Sequence, residues 1–194
     1  MHVDAVASNT EDTSWGALYR LAEAQEGHFS AQQAAQLGYY PQRLQKHLKA
    51  GRVARIRRGI YRLTHFPHGE YEELVVYWLW AEGKGTYSGE TALNLHGLSD
   101  ALPSKLHLTL PAEWKTRRLR VPKGVVLYFA DVDDNDRTWI GAVPVTTPVR
   151  TIQDSIQQHV QPDLVEQAIM DARQRGFITP KVASRLTKCM EEHR

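Results

Sequence analysis

Five residues, Ser30, Gly38, Pro41, Gly51 and Gly59, punctuate one stretch so closely that few folds can accommodate it. Ser30 precedes Ala31-Gln32-Gln33-Ala34-Ala35-Gln36-Leu37, a run of good helix formers with a hydroxyl placed to cap it. Gln33, three positions after Ser30, completes a reciprocal capping-box pattern. Gly38 suits the left-handed residue that ends such a helix, Tyr39-Tyr40 form the turn, and Pro41 suits the start of a second helix. That helix, Gln42 to Lys49, stops at Gly51. Val53-Ala54-Arg55-Ile56 and Ile60-Tyr61-Arg62-Leu63 then read as strands flanking Arg57-Arg58-Gly59, where Gly59 supplies the positive φ of a tight hairpin. Helix, glycine-containing turn, helix is the helix-turn-helix plan, and an Arg-rich hairpin directly after it reads as the wing of a winged helix.

Charge gives this stretch a partner. From Gly27 to Gly69 there is no Asp or Glu, while Arg43, Lys46, Lys49, Arg52, Arg55, Arg57, Arg58 and Arg62 contribute +8. The whole chain of 194 residues is only +2, so the remainder carries the difference, −6. Such a separation of sign points to a polyanion, and double-stranded DNA is the commonest one. Leu44 and Leu48 face the core, which leaves Gln42, Arg43, Gln45, Lys46 and Lys49 on the outer face of the second helix. Gln can pair with an adenine edge, Arg with a guanine edge and Lys with phosphate. With Tyr40 at the turn and Arg55, Arg57 and Arg58 on the hairpin, these form the candidate DNA-binding set. A basic helical face alone is ordinarily a solvated face. Its combination with a capped helix, a glycine turn and a basic hairpin is what singles it out.

The length suggests one or two domains at ~100–200 residues each. The expected architecture is α+β, with a winged helix-turn-helix over residues 14–66 and a mixed α/β domain over 70–194. The boundary falls at Thr64-His65-Phe66-Pro67-His68-Gly69, where Pro and Gly interrupt the pattern. Cys189 is the single cysteine, which leaves no disulfide framework and no cysteine-based zinc site. The apolar runs are too short for a membrane span, and Met1-His2-Val3-Asp4-Ala5 lacks the marks of a signal peptide, so a cytoplasmic protein is expected. Residues 1–13 read as a disordered tail.

Thr13-Ser14 opens a first helix, Trp15 to about Gln25, with Trp15, Leu18, Tyr19 and Ala22 facing a core of Leu37, Leu44, Leu48, Ile56 and Ile60. Beyond the boundary, Tyr71 to Glu82 reads as a helix with Tyr71, Leu74, Val75, Trp78 and Leu79 inward. Ser88 is expected to cap Gly89 to His96, with Glu90 in the first turn and His96 near the end suited to the helix dipole. Lys105 to Leu110 and Val125 to Ala130 read as strands, and Trp139-Ile140 and Val143 to Val145 continue the sheet. Between the first two lies a basic cluster, Lys115 to Arg120, read as a solvated loop with an auxiliary DNA contact as the alternative. Thr147-Pro148, Pro162 and Thr179-Pro180 each begin a helix. Arg150 and Asp154 can pair across one turn, which is worth ~0.3–0.5 kcal/mol if exposed.

Catalytic and metal patterns do not assemble. Asp131 to Asp136 resembles the start of a calcium loop, but Asp136 and Ala142 stand where the loop requires Gly and Glu. His65 and His68 have a metal-like spacing but flank a proline in a loop. No catalytic residue, cofactor or metal is expected. A metal-dependent nuclease would have to recruit Glu90, Asp131 or Asp133 with Lys105, and a protein-interaction module is the remaining alternative for the second domain.

Three segments, Gly51 to Tyr61, Ala92 to Ser99 and Thr147 to Asp154, together resemble the AbiEi family, and the similarity runs from about Leu18 to about Ile178. These are antitoxin-type transcriptional regulators of bacterial type IV toxin–antitoxin and abortive-infection loci. The resemblance implies a winged helix that binds repeats in the operon's own promoter, with negative autoregulation. It also implies a C-terminal antitoxin domain and a nucleotidyltransferase toxin counteracted without a stable complex. Arg43, Lys46, Lys49, Arg55, Arg57 and Arg58 fall where the family presents its DNA-binding surface.

Overall fold

The computed structural model describes the backbone of residues 4–193 and the side chains of residues 14–193. The chain divides into two compact units, Met1–Gly83 with Gly141–Val143, and Lys84–Ile140 with Pro144–Arg194.

The first unit runs α1 (Asp4–Glu23), β1 (His28–Ser30), α2 (Ala31–Gln36), α3 (Pro41–Lys49), β2 (Val53–Arg57), β3 (Ile60–Leu63) and α4 (Glu72–Trp80). The expected tail lies outside the described residues for 1–3, and from Asp4 the chain is already helical, with no Gly or Pro before Gly16 to interrupt it. The three strands form an antiparallel sheet in the order β1-β3-β2. β1 carries no signature in the sequence, because a three-residue strand shows no alternation. It forms because His28, Phe29 and Ser30 pair with Arg62, Tyr61 and Ile60.

The capping box at Ser30 is present in both directions. Gln33 N donates to Ser30 Oγ at 3.1 Å, and Ser30 N donates to Gln33 Oε1 at 2.9 Å. A third layer backs it, since Gln33 Nε2 donates to Gln25 Oε1 at 2.8 Å and Gln25 Nε2 donates to the His28 carbonyl at 3.1 Å. Replacing Ser30 with Ala is therefore expected to lower stability by about 1 kcal/mol. A urea midpoint unmoved by Ser30→Ala would show that the box contributes nothing.

Gly38 takes φ +81 after α2, and Gly59 takes φ +76 in the β2–β3 hairpin, conformations that only glycine adopts without strain. Leu18, Ala22, Phe29, Ala34, Tyr39, Leu44, Val53 and Leu63 build the core of this unit. Ile56 departs from expectation. The register shifts between Arg55 and Arg57, and this bulge leaves Ile56 43% exposed instead of in the core. In α4 the fully buried set is Val75, Val76, Tyr77 and Leu79, while Tyr71, Leu74 and Trp78 of the expected stripe are only half-buried.

The second unit contains β4 (Thr86–Tyr87), α5 (Gly89–His96), β5 (Leu106–Leu110), β6 (Val125–Phe129), β7 (Arg137–Ile140), β8 (Val143–Thr146), α6 (Pro148–Gln157), α7 (Pro162–Gln174) and α8 (Pro180–Glu192). Short 3-10 turns occupy Ala112–Thr116 and Asp134–Asp136. The strand order is β6-β5-β4-β8-β7, with β4 antiparallel to β5 and parallel pairing of β5 with β6 and β4 with β8. An N-terminal α+β region is thus followed by a larger mixed α/β region. Leu93, Ile152, Val165, Ala172 and Leu186 bring α5, α6, α7 and α8 into one core.

Two expected caps do not form. Ser88 turns its hydroxyl to Thr109 Oγ1 at 2.7 Å, and Thr147 makes no side-chain cap bond. Thr179 does cap α8, accepting from Val182 N at 3.3 Å. Among the described residues no helix is long and apolar enough to cross a membrane.

Candidate nucleic-acid interface

α3 presents two chemically distinct faces. Leu44 and His47 are buried, while Gln42, Gln45, Lys46 and Lys49 are exposed. Burial of His47 follows from its position three residues after Leu44, and its ring stacks on Trp15 of α1 with centroids 4.6 Å apart and planes within 8°. Tyr39 meets the same ring edge-on at 5.3 Å. The helix is thereby fixed against α1 through an aromatic group. Two guanidiniums frame that group, Arg43 at 4.3 Å from the Tyr39 centroid and Arg52 at 6.0 Å from Trp15. Arg43 is thus half-buried and pre-oriented, and Tyr40 beside it is 62% exposed. Trp15 is expected in the core from its helical spacing, whereas the burial of His47 is a feature the structure reveals. The helical spacing from Leu44 was the available signal.

The hairpin cations divide by role. Arg55 and Arg58 are exposed, and Arg55 Nε donates only a long bond, 3.4 Å, to the Arg57 carbonyl. Arg57 is tied to α4, donating from Nη2 to Tyr77 Oη at 3.0 Å with its guanidinium 4.7 Å from that ring. Among the described residues Lys46, Lys49 and Arg58 have no ion pair. If Arg57 acts with Tyr77, a double-mutant cycle of Arg57→Gln and Tyr77→Phe should show a coupling of about 0.5–1 kcal/mol in urea unfolding. Strict additivity would mean that the contact is not formed.

Arg62 is not part of the surface. It is 8% exposed, and its Nη2 meets Glu72 Oε1 at 2.9 Å and the Phe66 carbonyl at 2.7 Å. The +8 stretch therefore offers seven cations to solvent. Burial pushes the Glu72 carboxyl up, but hydrogen bonds and charge from His68 and Arg62 together hold it below the usual range. His68 Nδ1 lies 2.8 Å from Glu72 Oε2, so this histidine serves the Arg62 ion pair rather than His65. Glu26 accepts from Tyr71 N at 2.9 Å while burial raises its pKa, and burial lowers that of His28, whose Nδ1 lies 2.9 Å from the Glu26 carbonyl.

In the second unit the residues a nuclease would need are dispersed. Asp131 is exposed and accepts from Ala112 N at 3.2 Å, in a small hollow with Lys84 and Arg137 that Glu90, Asp133 and Lys105 do not line. Glu90 acts instead on His107 and Tyr128. Burial lowers the His107 pKa against its pull, and burial raises that of Tyr128 with its help. Among the described residues no three His, Cys, Asp or Glu side chains form a group able to hold a metal ion.

Arg150 and Asp154 form more than an exposed pair. Arg150 Nε donates to Asp154 Oδ1 at 2.7 Å and Nη1 to Asp136 Oδ2 at 3.0 Å. Asp154 is 6% exposed, and its Oδ2 is buried without a hydrogen-bond partner. Burial raises the Asp154 carboxyl above its ordinary range, and the hydrogen bond and charge of Arg150 only partly oppose this.

Comparison with known proteins bears on the first unit. No curated protein matches the chain. Among solved structures, the crystal structure of the RV2827C protein from Mycobacterium tuberculosis is similar at 11% identity, covering 91% of this chain and 75% of that chain with a TM-score of 0.41. The family model described as "Transcriptional regulator, AbiEi antitoxin" matches residues 17–64, which include all nine candidate DNA-binding residues, but it does not extend over the segments around Ala92 and Thr147. An AbiEi-type antitoxin and transcriptional-regulator domain is thus recognised over residues 17–64 and not over the whole chain.

Proposed function

We propose that the chain is a sequence-specific DNA-binding repressor of its own operon, acting as the antitoxin of a type IV toxin–antitoxin system. The reading rests on one observation above the others. The residues matched to the regulator family carry Lys46 and Lys49 on the exposed side of one buried-face helix and Arg55 and Arg58 exposed on the adjoining hairpin. In this reading residues 14–66 work as a winged helix-turn-helix. Gln42, Arg43, Gln45, Lys46 and Lys49 of α3 enter the major groove with Tyr40 beside them. Arg55 and Arg58 of the hairpin contact backbone, and Arg57 sets the hairpin's direction through Tyr77.

In this reading residues 70–194 form the antitoxin domain. The toxin is a nucleotidyltransferase, and it is counteracted in the cytoplasm without a stable complex. The chain acts by binding, not by catalysis. A reporter driven by the gene's own upstream region tests the regulatory half. Supplying the chain in trans should silence it, and the variant Arg43→Gln, Lys46→Gln should restore expression. A reporter equally active with and without the wild-type chain would refute autoregulation.

A further inference from the structure

The second unit carries an acid-free basic segment of its own. From Trp114 to Ala130 there is no Asp or Glu, while Lys115, Arg117, Arg118, Arg120 and Lys123 crowd into residues 115–123. The second unit holds 15 basic and 13 acidic side chains in total. Without these five cations, 10 basic face 13 acidic, so the cluster is a positive patch on an otherwise acidic body. All five are exposed, and among the described residues Lys115, Arg118, Arg120 and Lys123 have no ion pair.

The loop is held in place at both ends. Trp114, 4% exposed, anchors its start, and the Arg117 guanidinium lies 3.9 Å from the Trp114 ring centroid. Leu119 N donates to the Arg117 carbonyl at 3.0 Å. At the far end Leu106 N donates to the Gly124 carbonyl at 2.8 Å, and β6 then pairs with β5 from Val125 to Phe129. Like charges fixed this close repel one another and oppose folding, a cost that a bound polyanion removes. Val121 is the one large apolar side chain exposed in the loop, too little to anchor a protein interface.

We propose that the loop of residues 115–123 is a second DNA-contacting surface, engaging phosphates of duplex DNA. The proposal rests on the DNA-binding reading above and extends it to the other unit. Lys and Arg on an irregular loop neutralise phosphates, so they add affinity and salt dependence without selecting sequence.

The test is a fluorescence-anisotropy titration of the full chain, over a salt series, against duplex DNA from its own upstream region. The loop variant combines Lys115→Gln, Arg118→Gln, Arg120→Gln and Lys123→Gln and leaves Arg117 on Trp114. It should bind about tenfold more weakly or worse, with the slope of log K against log salt shallower by about 2–4. A control with Arg118→Lys and Arg120→Lys keeps the charge and should bind like the wild type. An unchanged slope and affinity in the loop variant, with binding lost in Arg43→Gln, Lys46→Gln, would overturn the loop and leave the first-unit reading intact. Loss in the loop variant with none in the first-unit variant would keep the loop as a DNA surface and overturn that reading. A control as weak as the glutamine variant would also overturn the proposal, because charge would then not be the cause.

Discussion

Replacing Arg150 with Met is expected to destabilise the fold by about 3 kcal/mol, at the lower end for removing one partner of a buried ion pair. Asp154 is 6% exposed and its Oδ2 already lacks a partner, so losing the 2.7 Å bond to Arg150 leaves the whole carboxylate buried and unpaired. The pH dependence follows in sign. Burial holds the folded-state pKa of Asp154 above its unfolded value, so stability from this group is present at low pH and lost as pH rises through the folded pKa. The defect of Arg150→Met should therefore be smaller at pH 5 than at pH 7. Asp154→Asn should be far milder, within about 1 kcal/mol, because it removes the buried charge and leaves Arg150 its bond to Asp136. Denaturant titrations at two pH values measure all of this. A loss in Arg150→Met that is small, or that grows on acidification, would show that Asp154 is not buried as a charge.

The second large effect concerns DNA. Arg43→Gln should cost about 1–3 kcal/mol of specific binding if its guanidinium reads a guanine edge. Its place over Tyr39, 4.3 Å from the ring centroid, orders it before any contact is made. Lys46 is exposed and has no ion pair among the described residues, so Lys46→Gln should weaken binding to every sequence and make the salt slope shallower by about 1. The two losses differ in kind, which a comparison of upstream and scrambled duplexes resolves. An Arg43→Gln variant weakened equally on both duplexes would remove Arg43 from sequence reading.

What the sequence made legible was local backbone chemistry. Ser30 with Gln33, Gly38, Pro41 and Gly59 each act within a few residues of themselves, so the pattern of breakers and formers located α2, α3 and the hairpin. What it left hidden depends on partners elsewhere in the chain. Arg62 looked like one more surface cation until Glu72, ten residues on, drew it inside. Ile56 fitted an alternating strand, but a bulge between Arg55 and Arg57 turned it outward. Arg57 meets Tyr77 across twenty residues, and His47 meets Trp15 on another helix. Helical spacing from Leu44 marks His47 as inward, but no local period marks the partner in either contact. The Arg150 cluster was visible as an i, i+4 pair with Asp154, whereas the reach to Asp136 depends on tertiary folding.

The repressor reading meets its most direct test in anisotropy titration of the wild-type chain against its own upstream DNA and a scrambled duplex of equal length, over a salt series. Much tighter binding to the upstream duplex, with a steep salt dependence, is the expected result. Equal affinity for the two duplexes would contradict sequence-specific repression and leave the basic surface a general DNA contact only.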